Sequence, residues 1–145
     1  MLPNLVVLCY IPGTINIAFM EKDLNLGVIG EKIAAKFLSD KGYEIIEFNY
    51  QNRSGYRLGE IDIIVRDPSN QELVFVEVKT RKIREGELVL PEENITYSKL
   101  RKLSRIAEVY LKEKKLNSTE FRFDAVTIIF DEESRKAKVR HFKRL

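Results

Sequence analysis

The segments GEIDIIV at residues 59–65 and VFVEVK at residues 74–79 decide the fold, because both alternate in the way that β-strands do. Every second residue is Ile or Val, counted from Ile61 in the first segment and from Val74 in the second, so each strand has one wholly apolar face. The polar link at residues 67–70 (DPSN) is typical of a turn. The two segments are therefore predicted to form an antiparallel hairpin.

The register of this hairpin has a chemical consequence. With the apolar faces on the same side of the sheet, Ile63 pairs with Val76. Asp62 then faces Glu77 across the ladder. Like charges in that position repel unless a cation lies between them, so the pattern calls for a metal ion, for the ammonium group of Lys79, or for both.

Length and composition limit the class of protein. A chain of 145 residues with 44% hydrophobic and 32% charged residues is typical of one globular domain with its own core. The net charge of +3 permits a nucleic-acid partner without requiring one. The single cysteine, Cys9, excludes an internal disulfide and a cysteine-based zinc site, and it fits a cytoplasmic location.

Residues 1–22 are predicted to be an N-terminal extension, and residues 23–145 a single domain. The extension is apolar, but Pro3, Pro12 and Gly13 interrupt it, so it is a poor membrane span and no membrane partner is expected. It is interpreted either as an arm or extra strand, or as an artefact of gene prediction with the true start at Met20.

The segment after the extension is predicted to be a helix over residues 26–38, capped by Asn25, and residues 43–50 follow as a strand. Glu31 lies at the edge of the buried helix face, beside small residues that would let a strand approach. Two readings of Glu31 remain open: an ordinary glutamate that the helix dipole favours in the first turns, or a functional carboxylate.

A second, strongly basic helix is predicted to start after Thr96. Residues 99–115 hold seven positive and two negative side chains. Such a run is usually a solvated face, but its basic residues cluster in the first turns, where a helix also favours anions, so a phosphate-binding face is the alternative. The loop at residues 51–57 has Arg, Tyr and Gly, which suit contacts to phosphate and base; a plain solvated loop is equally consistent.

The C-terminal third is predicted to supply two strands. Residues 121–130 have apolar residues on both faces and are expected to lie in the centre of the sheet, with Asp124 bonded to Arg122 or to a nearby loop. Residues 136–141 alternate with lysines, which is typical of a protected edge strand. His141 is interpreted as a surface or edge residue and not as a metal ligand.

Three motifs together resemble the PD-(D/E)xK nuclease superfamily and, within it, the uncharacterised bacterial YraN-like family. They are LGVIGEKIA at residues 26–34, GEIDII at 59–64 and VFVEVKTR at 74–81, and the resemblance covers about residues 24–130. The first catalytic motif of the superfamily is often Pro-Asp. Ile61-Asp62 stands here instead, as in the archaeal Holliday-junction resolvases, and the carboxylate is retained.

The resemblance implies a restriction-endonuclease-like α/β fold with an αβββαβ core and a mixed central sheet flanked by helices. It also implies a metal-dependent endonuclease that hydrolyses DNA phosphodiesters, with branched or junction DNA as a candidate substrate and a homodimer as a candidate assembly. The alternative is a non-catalytic nucleic-acid-binding protein with the same fold. Nucleic acid, DNA in the first place, is the expected partner.

The same resemblance assigns roles to residues. The expected catalytic set is Asp62, Glu77, Lys79 and Glu31, and Glu60 is a supporting residue if it lies opposite Lys79. Asp62, Glu77, the Val78 carbonyl and Glu31 are the expected ligands of Mg²⁺, for which Mn²⁺ can substitute. The expected nucleic-acid-binding residues are Arg53, Arg57, Arg81, Lys99, Arg101, Lys102 and Arg105.

Overall fold

The computed structural model describes residues 7–11, 14–17, 25–53, 55–84, 95–131 and 133–145. The elements in chain order are β1 (Val7–Ile11), β2 (Thr14–Ile17), α1 (Leu26–Asp40), β3 (Glu44–Tyr50), β4 (Ile61–Arg66), β5 (Leu73–Ile83), α2 (Tyr97–Glu113), β6 (Phe121–Asp131) and β7 (Lys136–Phe142). From α1 to β6 this order is αβββαβ, so the predicted α/β core is confirmed.

The strands form one seven-stranded mixed sheet in the order β1-β2-β7-β6-β5-β4-β3. Strands β5 and β6 pair in parallel along their whole length, and the other neighbours are antiparallel. A parallel connection needs a crossover, which the segment containing α2 provides. Strand β6 lies in the middle of the sheet, as its two apolar faces predicted.

Strand β5 is buried under a helix on each face. Its even-numbered residues, such as Val74 and Val76, join a core cluster with α1, and its odd-numbered residues, such as Leu73 and Phe75, join a second cluster with α2. A strand that is covered on both faces reads as a nearly continuous apolar run, as VFV does here. The two helices therefore sandwich the centre of the sheet.

The central hairpin has the predicted register, with Ile63 paired to Val76. One part of the prediction is wrong. Ile61 does not share a face with Ile63 and Val65; it packs in the cluster under α2, whereas the other two pack under α1. The regular β4–β5 pairing ends at Ile63, and the strict alternation on which the prediction relied ends there too.

Both helices begin at the predicted caps. The side chain of Asn25 accepts a hydrogen bond from the Gly27 amide at 2.9 Å, and the Thr96 hydroxyl accepts one from the Lys99 amide at 3.2 Å. These bonds satisfy amides that have no partner within the helix. Neither helix within the described ranges is long and apolar enough to cross a membrane.

The N-terminal strands change the interpretation of β7. Strand β2 pairs with β7 from Thr14 to Asn16, so β7 is an inner strand and the prediction of an edge strand is wrong. Both β1 and β2 fall within the stretch assigned to the extension. The proposed domain boundary after residue 22 lies outside the described residues and stays a prediction.

A buried ionic cluster occupies the turn end of the β4–β5 hairpin. The Arg122 guanidinium donates to Asp67 at 2.8 Å, to Glu72 at 2.8 Å and to Asp124 at 2.9 Å. Burial raises the pKa of all three carboxyl groups, but hydrogen bonds outweigh it and lower each pKa: that of Asp67 with Ser69, that of Asp124 with His141, and those of all three with Arg122. The prediction that Asp124 bonds Arg122 is confirmed.

His141 belongs to the same cluster. Its Nε2 lies 2.8 Å from Asp124 Oδ2, its side chain is 7% exposed, and its ring meets Phe37 and Tyr43 edge to face. The prediction of a surface or edge position is therefore wrong. The alternating sequence of β7 did not show that β2 and α1 cover this strand.

Helix α1 reaches the sheet through Gly30. A Cβ at this position would lie 1.7 Å from the Oγ1 of Thr80 and 2.9 Å from its Cβ, so only glycine fits without movement. This contact fixes how closely α1 packs on β5. It also fixes the distance of Glu31, the next residue of the helix, from the sheet.

We predict that Gly30→Ala destabilises the protein by about 2 kcal/mol, because the added methyl group clashes with Thr80. A loss of stability is informative, because Ala in a helix interior is normally about 1 kcal/mol more favourable than Gly, so helix propensity alone would predict a gain. Urea denaturation of Gly30→Ala and of Gly30→Ala/Thr80→Ala measures the effect. The double variant should regain part of the loss, and a single variant as stable as the wild type would contradict the contact.

Candidate active site

Asp62 lies where β4 separates from β5. The last regular pair of this ladder is Ile63 with Val76, and beyond it the carboxylate of Asp62 accepts a hydrogen bond from the Val78 amide at 2.7 Å. The side chain thus takes the place of a backbone acceptor from β4. This bond holds Asp62 against the middle of β5.

Three carboxylates converge at this point: Glu31 from α1, Glu60 from the loop before β4, and Asp62 from β4. One oxygen of each lies within 4.8 Å of one oxygen of each of the others, and all three side chains are half-buried. Glu31 reaches the group because Gly30 lets α1 approach β5. The functional reading of Glu31 therefore has a geometric basis.

Two neutral amides support the group. Asn49 Nδ2 donates to Glu31 at 3.1 Å, and Gln51 Nε2 donates to Glu60 at 2.7 Å. Neither residue is among the site residues predicted from the sequence. Asn49 has a φ of +50°, a conformation that Asn adopts more readily than most residues. An Asn at this position is therefore a weak sequence signal of an unusual backbone, and Gln51 carries no such signal.

The crowding of negative charge changes the titration of two carboxyl groups. Burial first, and then the negative charges of Glu77, Glu31 and Glu60, raise the pKa of Asp62 to about 7, although the hydrogen bond from Val78 acts in the opposite direction. Burial and the charges of Glu60 and Glu77 also raise the pKa of Glu31. The metal-free group therefore holds a proton near neutral pH.

Glu77 is close enough for its charge to act on Asp62, but it is engaged elsewhere. Its side chain is 11% exposed, and its Oε1 lies 3.0 Å from the Nζ of Lys99 on α2. Sequence analysis assigned Glu77 to the metal and Lys99 to the nucleic acid. The structure pairs the two residues with each other.

Glu60 and Lys79 do not form the pair that the extended register suggested. The Glu60 carboxylate accepts from Gln51 and lies 3.7 Å from a guanidinium nitrogen of Arg57. Lys79 is half-buried, and no carboxylate within the described ranges lies within 4.0 Å of its ammonium group. The reason is again that the ladder ends at Ile63.

The basic residues predicted to contact nucleic acid divide into two groups. Lys99, Lys102 and Arg57 lie beside the carboxylates: Lys99 and Lys102 line a small cavity with Glu60, and Arg57 pairs with Glu60. The other four are exposed, on the β3–β4 loop, on β5 and on α2; they are Arg53, Arg81, Arg101 and Arg105. The structure thus places positive charge both beside the carboxylates and on the surface around them.

The three-carboxylate group fits a hard divalent cation. All its donors are carboxylate oxygens, and octahedral ligands at about 2.1 Å from Mg²⁺ would lie about 3.0–4.2 Å apart. The observed 4.8 Å limit is slightly wider, by an amount that side-chain rotation covers. The raised pKa of Asp62 is what such a group shows without a cation.

We predict that Asp62→Asn stabilises the metal-free protein by about 1–3 kcal/mol at pH 8 and has little effect near pH 4. A carboxyl group whose pKa is raised on folding contributes fully to stability below its unfolded pKa, and that contribution is lost as the pH rises through about 7. Asn keeps an acceptor for the Val78 amide.

Urea denaturation of both proteins in EDTA between pH 4.5 and pH 8 checks this prediction. Asp40→Asn, at the exposed end of α1, is the control and should show no such pH-dependent gain. A difference between Asp62→Asn and the wild type that does not change with pH would contradict it.

Comparison with known proteins gives consistent matches. The sequence profile of Uncharacterised protein family UPF0102 matches residues 30–128. A UPF0102 protein of Dictyoglomus turgidum is 40% identical over 104 residues, which is 72% of this chain and 81% of the relative. A UPF0102 protein of Pelotomaculum thermopropionicum is 40% identical over 118 residues, which is 81% of this chain and 92% of the relative.

Among solved structures, a chain in the structure of an EndoMS–dsDNA2 complex overlaps 75% of this chain and 39% of its own length, with 16% identity and a TM-score of 0.35. No conclusion about activity follows from an overlap of this extent. The residues that the profile matches include both motifs of the central hairpin and Glu31. The chain belongs to Uncharacterised protein family UPF0102, which confirms the YraN-like family predicted from its motifs.

Proposed function

We propose that the protein is a metal-dependent endonuclease that hydrolyses phosphodiesters of DNA. The observation that carries the proposal is the group of three carboxylates, Glu31, Glu60 and Asp62, which come from separate elements and meet at the end of the β4–β5 ladder. Repulsion within this group costs folding free energy in the absence of a cation, which points to a functional role.

Asp62, Glu31 and Glu60 are the residues that would hold a Mg²⁺ or Mn²⁺ ion, with Glu77 and the Val78 carbonyl as further candidates. When bound, such an ion polarises a phosphate and lowers the pKa of a bound water. This set of ligands differs from the set predicted from the sequence in the role of Glu60. Glu60 is here a candidate metal ligand, whereas the sequence predicted it as a partner of Lys79.

The chain's own cations would act on the phosphate. Lys79, half-buried on β5, would orient the attacking water and offset the charge that grows on the phosphate oxygens. Lys102 and Arg57, beside the carboxylates, would position the sugar–phosphate backbone without reading its sequence. Cleavage of branched DNA, action as a homodimer and a cytoplasmic location are finer parts of the same proposal.

A second candidate function is nucleic-acid binding without turnover. The observation that favours it is the ion pair of Glu77 with Lys99, which occupies one carboxylate oxygen of an expected metal ligand. The two functions differ in their dependence on Asp62. If the protein is a nuclease, replacing Asp62 abolishes cleavage. If the protein only binds nucleic acid, replacing Asp62 leaves its function intact.

The direct test incubates the purified protein with supercoiled plasmid, single-stranded DNA and a four-way junction, with Mg²⁺ or Mn²⁺. We expect cleavage that EDTA stops and that falls at least about a hundredfold in Asp62→Asn and in Lys79→Met, because each removes a group that acts on the scissile phosphate. Glu108→Gln, an exposed change on α2, is the control and should cleave as the wild type does. Absence of cleavage, with salt-sensitive binding that Asp62→Asn retains, would favour the second function.

The ion pair of Lys99 with Glu77 gives a further prediction. Lys99→Met should tighten Mn²⁺ binding about three- to tenfold in the absence of DNA, since it frees Glu77 and removes a positive charge beside the metal group. Isothermal titration calorimetry measures the affinity directly. Lys102 lines the same small cavity, so Lys102→Met is the matched control. We expect it to change the Mn²⁺ affinity less than Lys99→Met does. Weaker Mn²⁺ binding by Lys99→Met would contradict the prediction.

A further inference from the structure

An open groove runs along α2 on the side of the β3–β4 loop. Near the start of the helix, Lys99 and Lys102 line its narrow end together with Glu60. Farther along, Val109 and Lys112 line its wide end. Leu58 lines both ends, so the two cavities that make up this groove are neighbours. Lys102 and Lys112 are ten residues apart, which is a rise of about 15 Å along the helix.

The wide end is a cavity of about 550 Å³, within the ~300–1,000 Å³ range of small-molecule sites. Its lining combines an aromatic ring, two aliphatic side chains and three polar groups: Tyr56, Leu58, Val109, Asn52, Lys112 and Glu113. Glu113 is already engaged, because its carboxylate accepts the Tyr50 hydroxyl at 2.6 Å. The exposed ammonium group of Lys112 is therefore the positive charge of the cavity, and it lies beside the negative charge of Glu113.

Tyr56 is the unusual member of this lining. Its side chain is 94% exposed, while the backbone on both sides of it is held in place. Asn52 Nδ2 donates to the Tyr56 carbonyl at 2.8 Å, and Asn52 Oδ1 accepts from the Leu58 amide at 3.0 Å. Asn52 thus holds the backbone next to an aromatic ring that lines a cavity. Such a ring can stack on a ligand with little further loss of entropy.

We infer that this groove binds an unpaired stretch of nucleic acid next to the scissile phosphate, with one base stacked on Tyr56. Aromatic rings that stack bases beside a positively charged groove are the usual design of single-strand binding sites. The inference rests on the proposed function for the identity of the partner, and it adds that the partner is single-stranded on one side of the cut.

Charge and geometry favour this occupant over others. Lys102 and Lys112 are both exposed where α2 lines the groove, so each can contact a phosphate backbone. Bases inside a duplex are stacked on their neighbours, so the cavity admits a base only when it is unpaired. An acidic peptide would use the lysines but would leave the ring of Tyr56 without a flat partner.

A tryptophan reporter tests the stacking directly. The protein has no tryptophan, so Tyr56→Trp carries a single one at the cavity. In EDTA, saturating single-stranded oligodeoxynucleotide should quench its emission strongly, because the base stacks on the indole. Tyr97→Trp is the matched control, since Tyr97 is 81% exposed at the start of α2 and outside the cavity. An unchanged Tyr56→Trp emission at saturation would overturn the inference.

Affinities provide the second test. By fluorescence anisotropy in EDTA, Tyr56→Ala should weaken binding of a single strand and of a duplex with a single-stranded overhang about five- to 150-fold, and should leave a blunt duplex unchanged. Tyr56→Phe should bind as the wild type does, because it keeps the ring. An equal loss on the blunt duplex, or in Tyr97→Ala, would overturn the inference.

The role of Lys112 is tested by salt. Lys112→Ala should reduce the slope of log K against log salt concentration for the single strand by about 0.7, the value for one phosphate contact. Lys138→Ala, an exposed change on β7, should leave the slope unchanged. An unchanged slope in Lys112→Ala would remove the backbone contact from the inference.

The outcomes separate this inference from the proposed hydrolysis. All of these measurements exclude divalent metal, so they do not depend on catalysis. A stacking signal without cleavage would support the groove and contradict the nuclease. Cleavage that does not depend on Tyr56 would support the nuclease and contradict the groove. No binding of any oligonucleotide would overturn the groove.

Discussion

Strand β5 is paired along both edges and covered by a helix on both faces, and the position of every candidate active-site group follows from that constraint. On its α1 side, Thr80 leaves room only for glycine at position 30, which brings α1 down to the sheet. On its α2 side, Glu77 would be a buried, unpaired charge without Lys99. Where β4 leaves it, the exposed amide of Val78 is satisfied by Asp62.

This arrangement explains why charge collects at one place. A doubly covered strand has few positions where a polar side chain can reach solvent, and the end of the β4–β5 ladder is such a position. The three carboxylates, Lys79 and Lys99 are half-buried, so their interactions are less screened than those of surface groups. The groove along α2 begins at the same place and leads away from it.

Sequence patterns were sufficient for the elements and the central register but insufficient for the contacts at the site. Alternation of apolar residues predicted the pairing of Ile63 with Val76 because the apolar faces of both strands pack in the same core cluster. It failed one residue later, where the ladder ends and Glu60 turns toward Gln51 instead of Lys79. Periodicity carries no information about where two strands separate.

The errors at the C-terminal end have a similar cause. A strand with alternating lysines is typical of an edge, but β2 comes from the other end of the chain and pairs with β7. Asn49 and Gln51, which support the carboxylates, are ordinary polar residues next to a loop, and only the folded structure shows what they bond. Long-range pairings of this kind leave no local pattern in a single sequence.

The Arg122 cluster has a consequence for the whole molecule. Its carboxyl groups have lowered pKa values, so acidification removes stability at that end of the hairpin. The carboxyl groups of Asp62 and Glu31 have raised pKa values, so in the absence of a cation rising pH removes stability at the other end. The two ends of one hairpin therefore set opposite limits to the pH range of the fold. A cation at the Asp62 end would extend only the alkaline limit, so the width of that range reports whether the site is filled.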